Sequence, residues 1–202
     1  MIMNKKNNII AGNHIFLSRA QKEALLGQRA LAVWLTGLPA SGKTSIAVAL
    51  EKKLYKNGFI TKIFDGDLIR TDINKDLGFT TSDRQKNIER IALLNRHFIR
   101  CGIIVINSFV SPTKDIRKIA KTIIGKKDFI EIFIDCPVEV CESRDNKGLY
   151  VKARQGELLG FTGVDSPYEA PENPHLKIDT SAFSIDDAVS IIYNYIIERI
   201  KK

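Results

Sequence analysis

A glycine-rich segment has the residue types and spacing that bind phosphate groups: Gly37-Leu38-Pro39-Ala40-Ser41-Gly42-Lys43-Thr44. It matches the pattern G-x-x-x-x-G-K-[ST], in which backbone N–H groups and a helix N-terminus surround phosphate oxygens. In that arrangement Lys43 reaches the β- and γ-phosphates of a nucleoside triphosphate, and the Thr44 hydroxyl helps to hold Mg²⁺. Because GTPases, ATPases and small-molecule kinases share the pattern, a second site has to identify the reaction.

A pair of carboxylates, Asp65 and Asp67 on either side of Gly66, follows the second predicted strand. Open α/β sheets bind ligands beyond the carboxyl ends of their strands, so Asp65 is placed to contact an acceptor hydroxyl and take its proton. Phosphoryl transfer needs little beyond positioning and charge stabilisation, so one oriented carboxylate is enough. By position alone, a solvated Asp-Gly turn explains these residues equally well.

Two arginines and an aromatic residue follow the carboxylates. Arg84 and Asn87 lie one turn apart at the start of a predicted helix and therefore share a face. The guanidinium groups of Arg70 and Arg84 can each bind phosphate or sulfate through two parallel hydrogen bonds, and Phe79 offers a ring on which a base can stack. Taken singly, each residue is explained as well by a surface charge or a core aromatic.

Hydrophobic patterning predicts an α/β fold with three layers, a parallel sheet and helices on both its faces. Together with the phosphate-binding motif at residues 37–44, this predicts a fold of the P-loop NTPase type. The predicted strands cover residues 30–36, 61–64, 103–106, 129–134 and 176–178. The predicted helices cover residues 18–26, 43–56, 82–100, 112–124 and 137–143, and Ser184 caps a last one. Ser82 and Gln85 have the spacing of a capping box, which places the start of the long helix at Ser82.

The alternation of strands and helices stops between residues 145 and 174. Glycine or proline interrupts this stretch repeatedly, at Gly148, Gly156, Gly160, Gly163, Pro167, Pro171 and Pro174. Loops of this length inside a compact domain are usually functional lids or disordered. We interpret the stretch as a mobile lid.

Composition narrows the class of protein. A chain of 202 residues fits one domain with a real core. The net charge of +8 is spread along the chain, which favours a small polyanion over nucleic acid as the ligand.

No apolar run reaches the roughly 20 residues of a membrane span and no secretory signal is evident, so we expect a cytoplasmic protein with no membrane partner. Cys136 and Cys141 are interpreted as small buried side chains, since three cysteines do not make a disulfide framework.

Taken in order, these motifs resemble those of the adenylylsulfate kinases, from about residue 13 to the C-terminus. The matching segments are residues 37–44, Asp65-Gly66-Asp67, Leu77-Gly78-Phe79, Asp83-Arg84-x-x-Asn87-Ile88-x-Arg90, Ser111-Pro112 and residues 129–142. The most specific segments lie in the predicted lid: Arg144-Asp145-x-Lys147-Gly148-Leu149-Tyr150-x-Lys152-Ala153-Arg154 and Phe161-Thr162-Gly163-x-Asp165-x-Pro167-Tyr168-Glu169. Chance would not produce so many motifs in one order.

The resemblance implies a kinase that uses ATP and Mg²⁺ to phosphorylate the ribose 3′-hydroxyl of adenosine 5′-phosphosulfate, giving 3′-phosphoadenosine 5′-phosphosulfate. It implies a P-loop kinase domain over residues 30–202, with its lid at about 145–174, after an N-terminal extension over residues 1–29 that contains a short helix. It further implies a homodimer, and a separate ATP sulfurylase that supplies the phosphosulfate.

The resemblance also implies roles for individual residues. Lys43, Asp65 and Ser111 are the implied catalytic residues, and Thr44 is the implied metal ligand. The implied ATP-binding residues are Gly37, Leu38, Pro39, Ala40, Ser41, Gly42, Lys43, Thr44, Ser45, Arg144 and Lys152. The implied acceptor-binding residues are Asp65, Gly66, Asp67, Leu68, Arg70, Phe79, Arg84, Gln85, Lys86, Asn87, Val110, Ser111, Lys147, Gly148, Leu149, Phe161 and Thr162. Among them Phe79 and Phe161 would sandwich the adenine, and positive charge on Lys147, Lys152 and Arg154 would reach the phosphates as the lid closes.

Ser111 has two interpretations. The matching serine of the family has been assigned a phosphoserine intermediate, whereas direct in-line transfer needs none. We expect direct transfer, and Ser111 also suits the N-cap of the helix predicted to begin at Pro112.

The chain departs from the family pattern at four places. Leu68 replaces the usual asparagine, residues 71–73 replace a usual His-Gly-Leu, Thr113 replaces a common tyrosine, and Val151 replaces a common lysine. These changes leave the predicted chemistry in place, but they leave the acceptor affinity open.

Two other classes of protein compete with this interpretation. Another P-loop kinase, acting on a sugar acid or a shikimate-like alcohol, would also use Asp and Arg after the second strand, but would lack the lid motifs. A non-catalytic nucleotide-binding module is disfavoured by the intact Lys43, Thr44 and Asp65.

Overall fold

The computed structural model describes residues 16–202 and the backbone of two short antiparallel strands, Met3–Asn4 (β1) and Ile9–Ile10 (β2). The predicted N-terminal helix is α1, Arg19–Leu26. Ser18 caps it in a reciprocal capping box with Gln21, and Gly27 ends it in the left-handed conformation.

A parallel sheet of five strands forms the centre of the described residues. Its strands are β3 (Ala32–Thr36), β4 (Thr61–Asp65), β5 (Ile104–Ser108), β6 (Phe129–Asp135) and β7 (Leu176–Asp179), in the order β4-β5-β3-β6-β7. Every residue of β3 is buried, as expected of a central strand covered on both faces. The predicted α/β fold is therefore confirmed.

Helices cover both faces of the sheet. They are α2 (Lys43–Lys56), α3 (Gly66–Thr71), α4 (Thr81–Arg100), α5 (Lys114–Ile124), α6 (Val138–Ser143), α7 (Leu149–Arg154) and α8 (Ile185–Ile200), with a 3₁₀ turn at Lys126–Asp128. Leu50 of α2 and Ile192 of α8 share one core with Val33, whereas Ile91 of α4 and Ala120 of α5 share the other with the neighbouring strand residues. The alternation of side chains along β3 thus divides the core into two, one on each face.

The predicted caps of two helices are wrong. Helix α4 begins at Thr81, because the Thr80 hydroxyl rather than Ser82 caps it, accepting a hydrogen bond from the Asp83 backbone N–H. Helix α5 begins at Lys114 with Thr113 as its cap, so Ser111 does not cap a helix. The predicted lid also contains a helix, α7, which begins directly after Gly148.

The cysteine prediction is confirmed, since Cys136 and Cys141 are buried; Cys101 is exposed. Among the residues that the structure describes, no helix is both long enough and apolar enough to cross a membrane.

Candidate active site

The phosphate loop joins the end of β3 to the first turn of α2. A side-chain carbon at Gly37 would lie 2.3 Å from the Ile134 backbone oxygen, so only glycine fits at this position. Gly42 has a φ of 93°, a left-handed conformation that glycine adopts without strain. The two glycines of the motif are therefore required by the path of the backbone, and the N-terminus of α2 points its free N–H groups at the loop.

Lys43 lies buried under the phosphate loop. Its ammonium group donates hydrogen bonds to the backbone oxygens of Gly37, at 3.0 Å, and Leu38, at 2.6 Å. Burial lowers the pKa of Lys43 to about 8, and the nearby charge of Asp65 only partly offsets this. The site thus holds a positive charge that lacks full compensation, which suits the binding of an anion.

The buried charge makes a prediction for the free protein. Because the pKa of Lys43 falls from 10.5 to about 8 on folding, the unfolded chain binds more protons between these pH values, and stability rises with pH across this window. Each pKa unit corresponds to about 1.4 kcal/mol. We therefore expect Lys43→Met to show its largest gain in unfolding midpoint, relative to wild type, below pH 8, and to lose that gain by about pH 10.5. Thermal unfolding without nucleotide measures this, with the exposed Lys52→Met as control; a difference that stays constant with pH would contradict it.

Asp65 connects the phosphate loop to the acceptor side. The Thr44 hydroxyl donates to Asp65 Oδ2 at 2.7 Å and lies 3.1 Å from the Ser108 hydroxyl. The other carboxylate oxygen, Oδ1, accepts from the Asp67 backbone N–H at 3.0 Å and caps α3. Asp65 is only 9% exposed. The first residues of α2 and the ends of β4 and β5 therefore meet at one group of oxygen atoms.

These oxygen atoms fit a magnesium ion. Hydroxyl and carboxylate oxygens are the ligands that Mg²⁺ prefers, and it usually takes one or two of them together with substrate phosphates and water. Within residues 16–202 no group of three or more His, Cys, Asp or Glu side chains is arranged to hold a metal. The Thr44 hydroxyl, with Asp65 beside it, is thus the arrangement that suits a phosphate-bound Mg²⁺.

Arg70, Arg84 and Phe79 lie together on the acceptor side. The Arg70 guanidinium lies 4.4 Å from the centre of the Phe79 ring, and that of Arg84 lies 5.7 Å from it. Arg84 also donates to the Phe79 backbone oxygen at 2.9 Å and to the Gly160 backbone oxygen at 2.8 Å. Because Gly160 precedes Phe161, Arg84 links the two aromatic residues that were predicted to sandwich a base.

The lid lies over the phosphate loop. The Tyr150 hydroxyl donates to the Pro39 backbone oxygen at 3.1 Å, and Lys147 pairs with Asp67. Thr162 is 2% exposed, and its hydroxyl has no hydrogen-bond partner among the residues described. An unpaired hydroxyl in a buried place is costly, so Thr162 is a candidate for contact with a ligand.

Arginines near the lid differ in their surroundings. Arg144 donates to the Thr180 backbone oxygen at 2.8 Å, and the Thr180 hydroxyl donates to the Ser41 backbone oxygen at 3.0 Å, so Arg144 lies beside the phosphate loop. Arg154 instead pairs with Glu142 at 2.6 Å. The implied role of Arg154, to bring positive charge to the phosphates as the lid closes, stays a prediction.

Several residues of the predicted acceptor site have structural partners. Asn87 is buried and its side-chain oxygen accepts from the Asn74 side chain at 2.8 Å, whereas Gln85 donates to Glu89 on its own helix. The Ser111 hydroxyl is buried, accepts from the Trp34 indole N–H at 3.1 Å and donates to Thr36 at 3.0 Å. Ser111 also has a φ of 38°, uncommon for a residue with a side chain.

Sequence reasoning assigned no role to Tyr168 and Arg117. The Tyr168 hydroxyl lies 2.9 Å from the Thr36 hydroxyl, and buried Arg117 donates to the backbone oxygens of Ser111 and Glu169. Tyr168 and Glu169 were visible only as members of the lid motif, and Arg117 had no distinguishing pattern.

Known proteins resemble this chain in sequence and in fold. A family model described as adenylylsulphate kinase matches residues 29–179. The chain is 48% identical over 200 residues to an adenylyl-sulfate kinase of Bacteroides thetaiotaomicron, covering 99% of this chain and 100% of that protein. It is 40% identical, with a TM-score of 0.81, to the Mycobacterium tuberculosis APS kinase in complex with AMPPNP and APS, covering 84% of this chain and 98% of that one. A gluconokinase of Sinorhizobium meliloti is 15% identical with a TM-score of 0.59, covering 85% of this chain and 93% of that one, and shares the fold alone.

Proposed function

This chain belongs to the adenylylsulphate kinase family, and we propose that it transfers the γ-phosphoryl group of ATP to the ribose 3′-hydroxyl of adenosine 5′-phosphosulfate. The product is 3′-phosphoadenosine 5′-phosphosulfate. The observation that carries the proposal is the 2.7 Å hydrogen bond between Thr44 and Asp65, which brings the donor loop and the acceptor carboxylate together. A phosphoryl group can pass directly between ligands held on these two sides.

On the donor side, residues 37–45 bind the triphosphate and Lys43 neutralises charge on the β- and γ-phosphates. Mg²⁺, held by the Thr44 hydroxyl, would add charge neutralisation at the phosphate oxygens when bound. Arg144, beside the phosphate loop, and Lys152 complete the ATP site.

On the acceptor side, Asp65 orients the 3′-hydroxyl and accepts its proton as the bond to phosphorus forms. Arg70 and Arg84 bind the phosphosulfate group, and Phe79, which is 62% exposed, offers its ring to the adenine opposite Phe161. Lys147 and Thr162 close the pocket from the lid, which we place at residues 145–174 of a kinase domain spanning 30–202. Transfer is direct, because the Ser111 hydroxyl is buried and already hydrogen-bonded to Trp34 and Thr36.

The direct test supplies ATP, Mg²⁺ and adenosine 5′-phosphosulfate, and identifies the product by mass spectrometry and by the position of its new phosphate. A parallel reaction supplies gluconate or shikimate as the acceptor. Turnover with either of these and none with the phosphosulfate would contradict the proposal. ATP binding without transfer to any acceptor would favour a nucleotide-binding module.

Leu68, at the position of the usual asparagine, is 69% exposed beside Asp67 and has no polar group to offer an acceptor. A neutral hydrogen bond contributes about 0.5–1.5 kcal/mol, so we expect Leu68→Asn to lower the KM for the phosphosulfate by about 2- to 10-fold, with the KM for ATP unchanged. Steady-state kinetics measure both constants. Leu93→Asn, a matched change at an exposed leucine of α4, serves as the control. An unchanged acceptor KM in Leu68→Asn would show that the backbone already supplies this contact.

The same proposal extends to the oligomeric state of the enzyme, the source of its substrate and its cellular location. We propose a homodimer that uses the N-terminal extension, because α1 leaves the apolar side chain of Leu25 exposed. An ATP sulfurylase would supply the phosphosulfate. We place the reaction in the cytoplasm, where ATP is supplied.

A further inference from the structure

The chain that returns from the lid is attached to the rest of the molecule at Tyr168 and Glu169, which we call the return segment. The Tyr168 hydroxyl lies 2.9 Å from the Thr36 hydroxyl. The Glu169 backbone N–H donates to the Pro112 backbone oxygen at 2.8 Å, and its carboxylate accepts from the Lys114 backbone N–H at 2.7 Å. The return segment therefore contacts both the end of β3 and the start of α5.

Thr36 is the point at which three segments meet. It immediately precedes Gly37, the first residue of the phosphate loop, and it is fully buried. Its hydroxyl donates to the Val110 backbone oxygen at 2.8 Å and accepts from the Ser111 hydroxyl at 3.0 Å. Since the single proton of the Thr36 hydroxyl is directed at Val110, Tyr168 is the donor in its hydrogen bond with Thr36.

The Tyr168 hydroxyl remains protonated in this position. Burial raises the pKa of Tyr168 to about 12, so the phenol keeps its proton at any physiological pH. Its ring stacks on that of Phe133, with centres 5.8 Å apart. Removing the hydroxyl alone would leave this stack in place, which separates the hydrogen bond from the packing.

Arg117 holds the backbone around this point. It is 4% exposed, and its guanidinium donates to the Ser111 backbone oxygen at 2.9 Å and to the Glu169 backbone oxygen at 2.6 Å. Its Nε lies 3.1 Å from a carboxylate oxygen of Glu131 on β6. Arg117 thus connects β6 both to the return segment and to residues 109–113, which we call the acceptor loop.

We propose that Tyr168 is a positioning residue: its hydroxyl aligns the closed lid with both the phosphate loop and the acceptor loop, so that ATP and its acceptor are held in one arrangement. This inference rests on the proposed function of the site. The lid leaves α6 and returns at Tyr168, and the return end is the one that contacts the residue before the phosphate loop. Because the lid is attached at this point, its position is fixed relative to the residues that hold both substrates.

The test compares Tyr168→Phe with Tyr195→Phe, a matched change at a half-buried tyrosine of α8. The loss of a hydrogen bond worth about 1–1.5 kcal/mol corresponds to a change of roughly 5- to 10-fold in kcat/KM. We therefore expect Tyr168→Phe to raise the KM for both substrates and to lower kcat, with kcat/KM falling by about that factor. The unfolding midpoint should fall by no more than about 6 °C, the shift expected from the loss of one such hydrogen bond. Tyr195→Phe should change none of these. Unchanged kinetics in Tyr168→Phe, or a lower midpoint alone, would overturn the proposal.

A second variant and a second readout extend the test, and the second readout does not depend on turnover. Tyr168→Phe combined with Thr36→Val should lower kcat/KM no further than Thr36→Val alone, because both changes remove the same hydrogen bond. Additive losses in kcat/KM would contradict the proposal. Hydrogen exchange of residues 145–166 with AMPPNP bound should be faster in Tyr168→Phe than in wild type, and equal rates would contradict it. If the wild type fails to phosphorylate adenosine 5′-phosphosulfate, the proposed function fails, while the exchange measurement still decides the role of Tyr168.

Discussion

Replacing Lys43 by alanine is expected to lower kcat for phosphoryl transfer by about 10²–10³-fold, because a preorganised charge at the developing negative charge of a transition state is worth that much. The Lys43 ammonium lies within the loop, 3.0 Å from the Gly37 oxygen and 2.6 Å from that of Leu38, where the phosphates are expected to bind. Its removal also relieves a buried charge, and we therefore expect the fold to persist. Single-turnover measurement at saturating ATP and acceptor reports the loss directly.

Lys52→Ala is the matched control for this experiment. Lys52 lies on the same helix, α2, but its side chain is exposed and distant from the loop in sequence. It should transfer phosphate at the wild-type rate. Transfer at the wild-type rate by Lys43→Ala as well would show that the phosphate-loop assignment is wrong, and circular dichroism of both variants excludes unfolding as the cause of any loss.

The second large effect is expected at Asp65. Asp65→Asn keeps a side-chain oxygen that can accept from the Asp67 backbone N–H, so the cap of α3 survives, but it removes the group that takes the proton of the acceptor. General-base catalysis contributes about 10²–10⁴-fold, and we expect kcat to fall by a factor in that range. The affinity for ATP, measured by titration calorimetry without acceptor, should change far less than kcat.

Asp186→Asn, an exposed change in the first turn of α8, is the control for Asp65→Asn. It should leave kcat unchanged. Phosphoryl transfer can proceed when the acceptor hydroxyl is oriented but keeps its proton. A fall in kcat of less than about 10-fold in Asp65→Asn would therefore show that Asp65 only orients the hydroxyl. An unchanged kcat would show that Asp65 has no role in the reaction.

Local patterns predicted those parts of the fold that local chemistry determines. Helix α2 has its predicted bounds, Lys43–Lys56, because Gly42 before it and Gly58 after it mark both ends. The start of α4 was wrong because Thr80 and Ser82 are both good caps, and Thr80 has Asp83 three residues later. Gly148, which the sequence suggested only as an interruption of the lid, instead marks the start of a helix, since it immediately precedes α7.

The network behind the lid could not be predicted from the sequence. Thr36 and Tyr168 are 132 residues apart, and threonine in a buried strand is explained by β-branching alone. Ser111 illustrates the same limit: its position before a proline suggested a helix cap, but its hydroxyl is taken by Trp34 and Thr36. A resemblance between sequences marks such residues as belonging to a motif, whereas only the arrangement in space shows which groups they contact.

Trp34 is the single tryptophan of the chain, and its position has a practical consequence. It is fully buried in β3, its indole N–H donates to the Ser111 hydroxyl at 3.1 Å, and its ring stacks on Phe109 with centres 5.5 Å apart. Indole emission responds to the polarity and hydrogen bonding around the ring, so the chain contains one indole fluorophore, in contact with Ser111. A ligand-induced movement that breaks the contact between Trp34 and Ser111 should therefore change the emission, with no label and no engineered side chain.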